Sequence, residues 1–153
     1  MRNLEAVRYK QRLDNLFSQV SAFSSDIELQ SHWARYLCIL VSGFLETSVQ
    51  AIYTQYAKER AAENVANYVT SRLRRFTNPN MEDILRLAGT FNQEWRHCLG
   101  VATEGELKEA VDSIVANRNR IAHGADVGLT YVAIKRYYQN VVKVVDLIES
   151  NCV

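Results

Sequence analysis

Hydrophobic residues recur every three or four positions along most of this chain, which is the period of amphipathic α-helices. The first stretch with this pattern predicts a helix over about 2–23. Its inward-facing residues are expected to be Leu4, Val7, Leu13, Leu16, Phe17 and Val20. Ser25 stands at the right place to cap a second helix, which extends from about 26 to 60.

The second predicted helix has apolar residues around most of its circumference rather than along one stripe. The residues in its middle with this character are Trp33, Leu37, Leu40, Val41, Phe44, Leu45, Val49 and Ile52. A helix that is apolar nearly all round is usually packed on several sides. We therefore expect this helix to be the central one of the fold.

Two shorter helices are predicted after it, over about 63–76 and about 80–91. The first of them carries a basic run formed by Arg72, Arg74 and Arg75. Asn80 is a favourable N-cap for the second, because its side-chain oxygen can accept a hydrogen bond from a free backbone N–H of the first turn.

A further helix is predicted before the last one. Thr103 and Glu106 have the spacing of a capping box, which indicates that this helix begins at Thr103. It is expected to end at Ala122 or His123, because Gly124 is a typical C-terminal stop. The predicted end therefore lies within about two residues of Gly124.

Thr130 is expected to cap the last helix. The apolar residues of this helix have the most regular spacing in the chain, and they are Tyr131, Ile134, Tyr138, Val141, Val145, Ile148 and Cys152. Such a seam is typical of packing in a helical bundle. The sequence thus predicts a single all-α domain over 1–153, an up-and-down bundle of five to six helices with no β-sheet.

Composition agrees with this fold and narrows the classes of protein to consider. Of the 153 residues 48% are hydrophobic and the net charge is +1, which excludes low-complexity disorder. The longest uncharged apolar stretch, 36–45, is too short for a membrane span of about 20 residues. The three cysteines lack metal-ligand spacing and no secretory signal opens the sequence, so we expect reduced thiols in a cytoplasmic protein.

The common catalytic motifs are missing from the sequence. It has no glycine-rich phosphate loop, no zinc-type pairing of His and Cys, and no nucleophile elbow. Glu94 and His97 have the Glu-x-x-His spacing of di-iron bundles, but such sites need that motif twice together with two further glutamates. Both residues are therefore interpreted as ordinary surface or loop residues, and the sequence predicts no metal and no cofactor.

Arg118 interrupts the apolar stripe of the helix predicted before Gly124. The other members of this stripe are Leu107, Val111, Ile114 and Ile121. A buried guanidinium needs an anion, a carboxylate or a subunit interface beside it. The alternative is that the stem of Arg118 lies along the core while its charged head reaches water.

His123 follows five residues later. In an unbroken helix its side chain would lie about 140° around the axis from that of Arg118. The two can meet only if the helix ends near Gly124, or if they face each other across a two-fold dimer interface. A purely structural interpretation is a C-cap, where a cation faces the negative end of the helix dipole.

The sequence Arg-Asn-Arg-Ile-Ala-His-Gly at 118–124 resembles the signature of the HEPN superfamily. That signature is an Arg, four to six residues and then a His, with a polar residue directly after the Arg. The all-α pattern and the late position of the motif fit this resemblance. The sequence Gly-Phe-Leu-Glu at 43–46, in the central helix, is similar to stand-alone bacterial HEPN proteins of the RiboL-PSP type.

The resemblance implies a metal-independent endoribonuclease that acts as a toxin or a phage-defence effector. It implies a homodimer in which two motifs line one cleft, with RNA as the substrate and an antitoxin as a further partner. His123 would transfer protons at the 2′-hydroxyl or the leaving 5′-oxygen of RNA. Arg118 would hold the scissile phosphate, a role that suits the forked guanidinium. An imidazole suits proton transfer at neutral pH.

Three further residues receive supporting roles. Asn119 matches the polar position after the family arginine, and it would orient His123 or bind phosphate. Glu46 matches an acidic residue of some family members, and its alternative is a solvated helix face shared with Arg35 and Gln50. Arg120 is expected to contribute less than Arg118, because its position turns away from the stripe.

The charge and the aromatic residues of the sequence are compatible with an RNA-binding surface. Such a groove needs only local positive charge, and it would form if the helices carrying Arg72, Arg74, Arg75, Arg118 and Arg120 adjoin. The tyrosines that could stack bases are Tyr131, Tyr137 and Tyr138. The spacing of Tyr131 and Tyr138 favours a place in the core for both.

Two alternatives to an RNA-cleaving enzyme remain at this point. One is a non-catalytic HEPN-like module that dimerises or binds a partner through the same surface. The other, weaker one is nucleotide binding without cleavage. The presence of both Arg118 and His123 favours the enzyme, because a degenerate copy could lose either residue without consequence.

Overall fold

A computed structural model of the protein describes residues 1–22 and 25–152. These residues form seven helices and no strand, which confirms the all-α class. The helices are α1 (Leu4–Ser21), α2 (Ile27–Arg60), α3 (Glu63–Leu73), α4 (Met81–Phe91), α5 (Gln93–Thr103), α6 (Glu106–Ala122) and α7 (Tyr131–Asn151). The end near 23 predicted for the first helix falls outside the described residues.

Side-chain caps begin five of the seven described helices, and three of these helices are ones for which the sequence predicts a cap. Asn80 accepts a hydrogen bond from the backbone N–H of Asp83 at the start of α4, and Thr130 accepts one from Ala133 at the start of α7. Both predicted caps are confirmed. The cap of α2 is Asp26 rather than Ser25, because the Asp26 carboxylate accepts the backbone N–H of Leu29.

The described residues form seven helices rather than the five to six predicted, because residues 93–103 form α5. Thr103 does not begin a helix, so the predicted capping box is wrong. Its hydroxyl instead donates to the carbonyl of Leu99 at the buried end of α5. Gly105 then turns the chain with a φ of 86°, a conformation that glycine adopts easily, and α6 starts at Glu106.

The long helix α2 is the centre of the bundle, as its apolar circumference predicts. It packs against α1, α3, α6 and α7, and most of the apolar residues predicted for its middle are buried, whereas Trp33 and Leu40 are half-buried. By length and hydropathy α2 could cross a membrane, but 56% of its most apolar window is buried inside the fold. Burial of this kind is the property of a core helix.

The inward faces of the outer helices agree with the predicted pattern except at the start of α1. Leu4 is 68% exposed, so its predicted burial is wrong. The buried stripe of α1 begins at Ala6 and continues through Leu13 and Phe17, and Leu4 points to the opposite side of the helix. In α7 the predicted seam from Ile134 to Ile148 is buried.

Candidate functional site

The motif at 118–124 lies at the C-terminal end of α6, where the backbone closes in a Schellman motif. The N–H of Gly124 donates to the carbonyl of Ile121 at 3.0 Å, and the N–H of Ala125 donates to that of Arg120 at 2.9 Å. Gly124 has a φ of 74°, which favours glycine. The predicted helix end is therefore confirmed, and its cause is the left-handed conformation of Gly124.

Arg118 is half-buried on the side of α6 that faces the core. Its Nη1 lies 3.4 Å from the Oδ1 of Asn119. In the part of the chain that the structure describes, no carboxylate lies within 4.0 Å of its guanidinium. Of the two interpretations of the interrupted stripe, the structure has the stem along the core and the head at the surface, where it is open to an anion.

His123 is exposed and forms the C-cap of α6. Its backbone is still close to helical, with φ −92° and ψ 11°, and its N–H donates to the carbonyl of Asn119. The Cα–Cβ bonds of Arg118 and His123 therefore keep an angle of about 140° around the helix axis and a rise of about 7.5 Å. The two side chains therefore leave α6 in different directions, and no hydrogen bond joins them among the described residues.

Arg120 fixes the connection that follows α6. Its Nη2 donates to the carbonyl of Asp126 at 3.2 Å. The Asp126 carboxylate in turn lies 4.0 Å from Nη2 of Arg35 on α2. Arg120 thus braces the chain after the motif, and Arg35 marks the part of α2 beside which the motif lies.

Comparison with known proteins supports the resemblance seen in the sequence. A family model described as RiboL-PSP-HEPN matches residues 5–153, almost the whole chain. The chain belongs to the RiboL-PSP-HEPN family. This membership indicates a nuclease or an RNA-related role. No curated protein and no solved structure matches the chain.

Glu46 lies apart from the end of α6 in this RiboL-PSP-HEPN chain. It is 11 residues from Arg35 on the same helix, which corresponds to about 16 Å along α2. Its carboxylate accepts the backbone N–H of Asn78 at 2.6 Å, and Asn78 has a φ of 47°. Gln50, one turn further on, donates to the carbonyl of Phe76 at 2.8 Å. The contacts of Glu46 are therefore those of an anchor for the turn before α4, and the interpretation as a solvated face is wrong.

The basic run at the end of α3 does not join the arginines of α6. Helix α3 ends at Leu73 rather than near 76, and it packs against α2. The contact between Gln50 and Phe76 places this run 15 residues along α2 from Arg35, or about 22 Å. The condition for one continuous groove is not met, so that prediction is wrong.

Tyr131 and Tyr138 belong to the core, as their spacing predicts. The ring of Tyr138 stacks on Phe17 at 4.7 Å, and its hydroxyl donates to the Asp14 carboxylate at 2.7 Å. Burial, with the hydrogen bond to Asp14, raises the pKa of Tyr138. The hydroxyl of Tyr131 donates to the carbonyl of Phe17, and burial raises the pKa of Tyr131. Neither ring is free to stack on a base.

The described residues contain no group of three or more His, Cys, Asp or Glu side chains arranged to hold a metal ion. Glu94 and His97 are both exposed on α5, as the sequence predicts. Burial raises the pKa of the Cys38 thiol to about 12, and Cys38 lies in the core against the carbonyl of Ile114. The contact between Arg35 and Asp126 has no signal in the sequence, because the two residues are far apart in the chain and no local pattern pairs them.

Proposed function

We propose that this protein is a metal-independent endoribonuclease of the HEPN type, in which His123 transfers protons and Arg118 holds the scissile phosphate. This proposal is supported most by the accessibility of the Arg118 guanidinium and the His123 imidazole at the C-terminal end of α6. Arg118 has no carboxylate partner among the described residues, so its charge is available to an anion. The family match over 5–153 supports a nuclease or RNA-related role for the chain.

The proposed reaction uses the 2′-hydroxyl of the substrate as the nucleophile. The neutral imidazole of His123 takes the proton from this hydroxyl, and the 2′-oxygen attacks the phosphorus. The bond to the 5′-oxygen breaks, and this oxygen receives a proton from a second imidazole or from water. The products are a 2′,3′-cyclic phosphate and a 5′-hydroxyl. Arg118 stabilises the charge that grows on the non-bridging phosphate oxygens.

We further propose that the working site forms between two copies of the chain. Arg118 and His123 leave α6 about 140° apart, so a site that needs both is more easily built from Arg118 of one copy and His123 of the other. Apolar side chains on one face of α2 are exposed near the same end of the bundle: Leu29, Tyr36 and Ile39. This face is the proposed dimer contact, because solvent-exposed apolar residues gathered on one face favour burial against a partner.

Cleavage of single-stranded RNA by the purified protein in the presence of a chelator tests the activity. The expected products carry a 2′,3′-cyclic phosphate, and a DNA of the same sequence should stay intact because it lacks the 2′-hydroxyl. The Arg120→Ala variant is a matched control, since it removes an arginine two residues from Arg118 and should lose less activity. Equal activity in His123→Ala, Arg118→Ala and wild-type protein would indicate a contaminating nuclease.

The dimer is tested separately by sedimentation at micromolar concentration. The expected mass is about 35 kDa, twice the 17.5 kDa of one chain. Replacing Tyr36 and Ile39 by Ser should shift the equilibrium to monomer. If the wild-type protein sedimented as a monomer, the proposal of a site shared between two copies would be contradicted.

A non-catalytic module that dimerises or binds a protein partner is the second candidate function. The divergence of Arg118 and His123 within one chain favours it, because a single copy offers no joint site. Wild-type protein that dimerises but leaves RNA intact, whatever the substrate length, would support this function over the ribonuclease. A toxin role adds one more expectation, which is that expression of the wild type arrests growth and that of His123→Ala does not.

A further inference from the structure

A groove of about 500 Å³ opens between α3 and α4, far from the end of α6. Its apolar lining consists of Tyr68, Val69, Leu73, Phe76, Leu87 and Phe91. Arg72 and Arg75 stand at its rim. The groove therefore combines an aromatic wall with guanidinium groups, which are the two elements that bind single-stranded nucleic acid.

The aromatic wall is held in place from behind. Phe91 stacks on Tyr53, with ring centroids 4.8 Å apart and an interplanar angle of 20°. The ring of Trp95 lies nearly parallel to that of Phe91, with centroids 6.4 Å apart. The ring of Tyr56 meets that of Phe91 edge-on, with centroids 6.1 Å apart. Because these contacts fix the ring, little conformational freedom is lost when a flat ligand packs against it.

Tyr68 lies at the mouth of the groove and, unlike Phe91, is largely exposed. Its side chain is 66% exposed, although a tyrosine ring buries a large apolar area when it packs. In the described residues its ring has no aromatic neighbour. Tyr68 is thus an open ring face on which a base can stack.

The arginines at the rim carry uncompensated charge. The neighbouring arginines of α4 and α5 have carboxylate partners, since Arg86 contacts Asp83 at 3.2 Å and Arg96 contacts Glu82 at 2.9 Å. No carboxylate of the described residues lies within 4.0 Å of Arg72 or Arg75. Charge complementarity therefore favours a polyanion at this rim.

The groove also continues along the surface of α4. A neighbouring depression of about 360 Å³ shares Arg75, Phe76 and Leu87 with it and adds Arg86. Arg75 borders both depressions, whereas Arg86 is already paired with Asp83. The guanidinium groups left for the phosphates of a strand are therefore those of Arg72 and Arg75.

We propose that the α3–α4 groove binds a single-stranded segment of the RNA substrate, with a base stacked on Tyr68 and phosphates on Arg72 and Arg75. The proposal rests on the proposed ribonuclease function and names a second substrate contact about 22 Å along α2 from the motif. An acidic amphipathic peptide is the competing occupant, and the experiment includes it.

Binding is measured in the His123→Ala background, so that RNA is not consumed. The probe is a fluorescein-labelled single-stranded RNA of about 12 nucleotides, followed by anisotropy at about 50 and 200 mM salt. The Arg72→Ala/Arg75→Ala variant should bind about tenfold more weakly, and its salt slope should fall by about 1.4, or about 0.7 for each phosphate that is no longer neutralised. Arg8→Ala/Lys108→Ala removes the same charge from exposed positions outside the groove and should bind like the parent.

Stacking is tested at Tyr68. The Tyr68→Ala variant should bind RNA about tenfold more weakly, whereas Tyr68→Phe keeps the ring and should bind normally. An abasic oligonucleotide of the same length should compete poorly, and equal competition would overturn the stacking contact.

The failure of this proposal is separable from that of the ribonuclease. If both groove variants bind RNA as the parent does, the groove proposal is overturned while cleavage by the wild type still stands. If the parent binds no RNA, the groove proposal is also overturned, and the chelator assay decides on cleavage independently. If a glutamate-rich amphipathic peptide rather than RNA depends on Tyr68 and Arg72, the groove is a protein-docking site.

Discussion

The ends of α6 and α3 both present arginines at a helix C-terminus, yet their surroundings differ. At the end of α6 the backbone is closed by Gly124, Arg120 is engaged by Asp126, and an exposed imidazole stands beside the motif. At the end of α3, Arg72 and Arg75 have no carboxylate within 4.0 Å among the described residues, and they border an aromatic groove whose lining contains no histidine. Of the two regions, the end of α6 has an imidazole, a group suited to proton transfer, and this difference is why we propose cleavage at α6 and RNA binding at α3.

The largest expected effect separates these two regions by reaction rate. His123→Ala and Arg118→Ala should each lower the single-turnover cleavage rate at saturating RNA by about 10²–10⁴-fold, because proton transfer or charge stabilisation is lost. The Arg72→Ala/Arg75→Ala variant should keep that rate within about threefold. If the Arg72→Ala/Arg75→Ala variant cleaved RNA as slowly as His123→Ala, separate roles for the two regions in cleavage and in RNA binding would be contradicted.

The second effect is on apparent affinity. Since the groove is proposed to hold substrate equally in the ground and transition states, its double variant should raise KM by about tenfold with little change in kcat. Steady-state kinetics on RNAs of increasing length checks this. The effect should vanish for substrates too short to reach from α6 to α3, and a length-independent loss would contradict the account.

The third effect concerns the backbone that closes α6. Gly124→Ala should lower the free energy of unfolding by about 1–2 kcal/mol, because a φ of 74° is strained for any residue with a Cβ. Apart from the residues next to it in the chain, no described residue has an atom within 4 Å of a Cβ placed at Gly124, so the cost is conformational. Gly128→Ala is the matched control, since it has the same open space without a positive φ, and urea denaturation should find it unchanged or slightly more stable.

The smallest effect on catalysis is expected at Glu46. Glu46→Ala should cost about 1–2 kcal/mol of stability by removing the acceptor for the backbone N–H of Asn78. Its cleavage rate should stay within about twofold of the wild type. Glu104→Ala, at an exposed position, is the control for loss of a carboxylate and should change neither quantity. If a folded Glu46→Ala protein lost most of its cleavage activity, Glu46 would have a role in the proposed active site and not only in stability.

Much of the fold could be predicted because it depends on local signals. The spacing in α2 and α7 identifies core helices, and the caps Asn80 and Thr130 act within their own first turn. Thr103 and Glu106 imitate a capping box, which puts the predicted start of α6 inside α5, while Gly105 supplies the real break. A helical wheel gives the angular position of a residue but does not show which residue ends the helix.

The site was predictable only in part, for a similar reason. The motif is a local sequence, and its place at the end of α6 follows from Gly124. The contacts of Arg35 with Asp126 and of Glu46 with Asn78 join segments far apart in the chain, and charge alone does not pair them. The grouping of Arg72 with Arg118 failed because it needed the packing order of α3 and α6 around α2.

Subunit mixing tests the proposed shared site most directly. Inactive Arg118→Ala and His123→Ala proteins are combined in equal amounts under conditions that allow exchange, and RNA cleavage is measured with a chelator present. If each site takes Arg118 from one copy and His123 from the other, every heterodimer contains one intact site, and the mixture should recover about a quarter of wild-type activity. A mixture as inactive as its two components, beside an active wild type, would contradict the shared site.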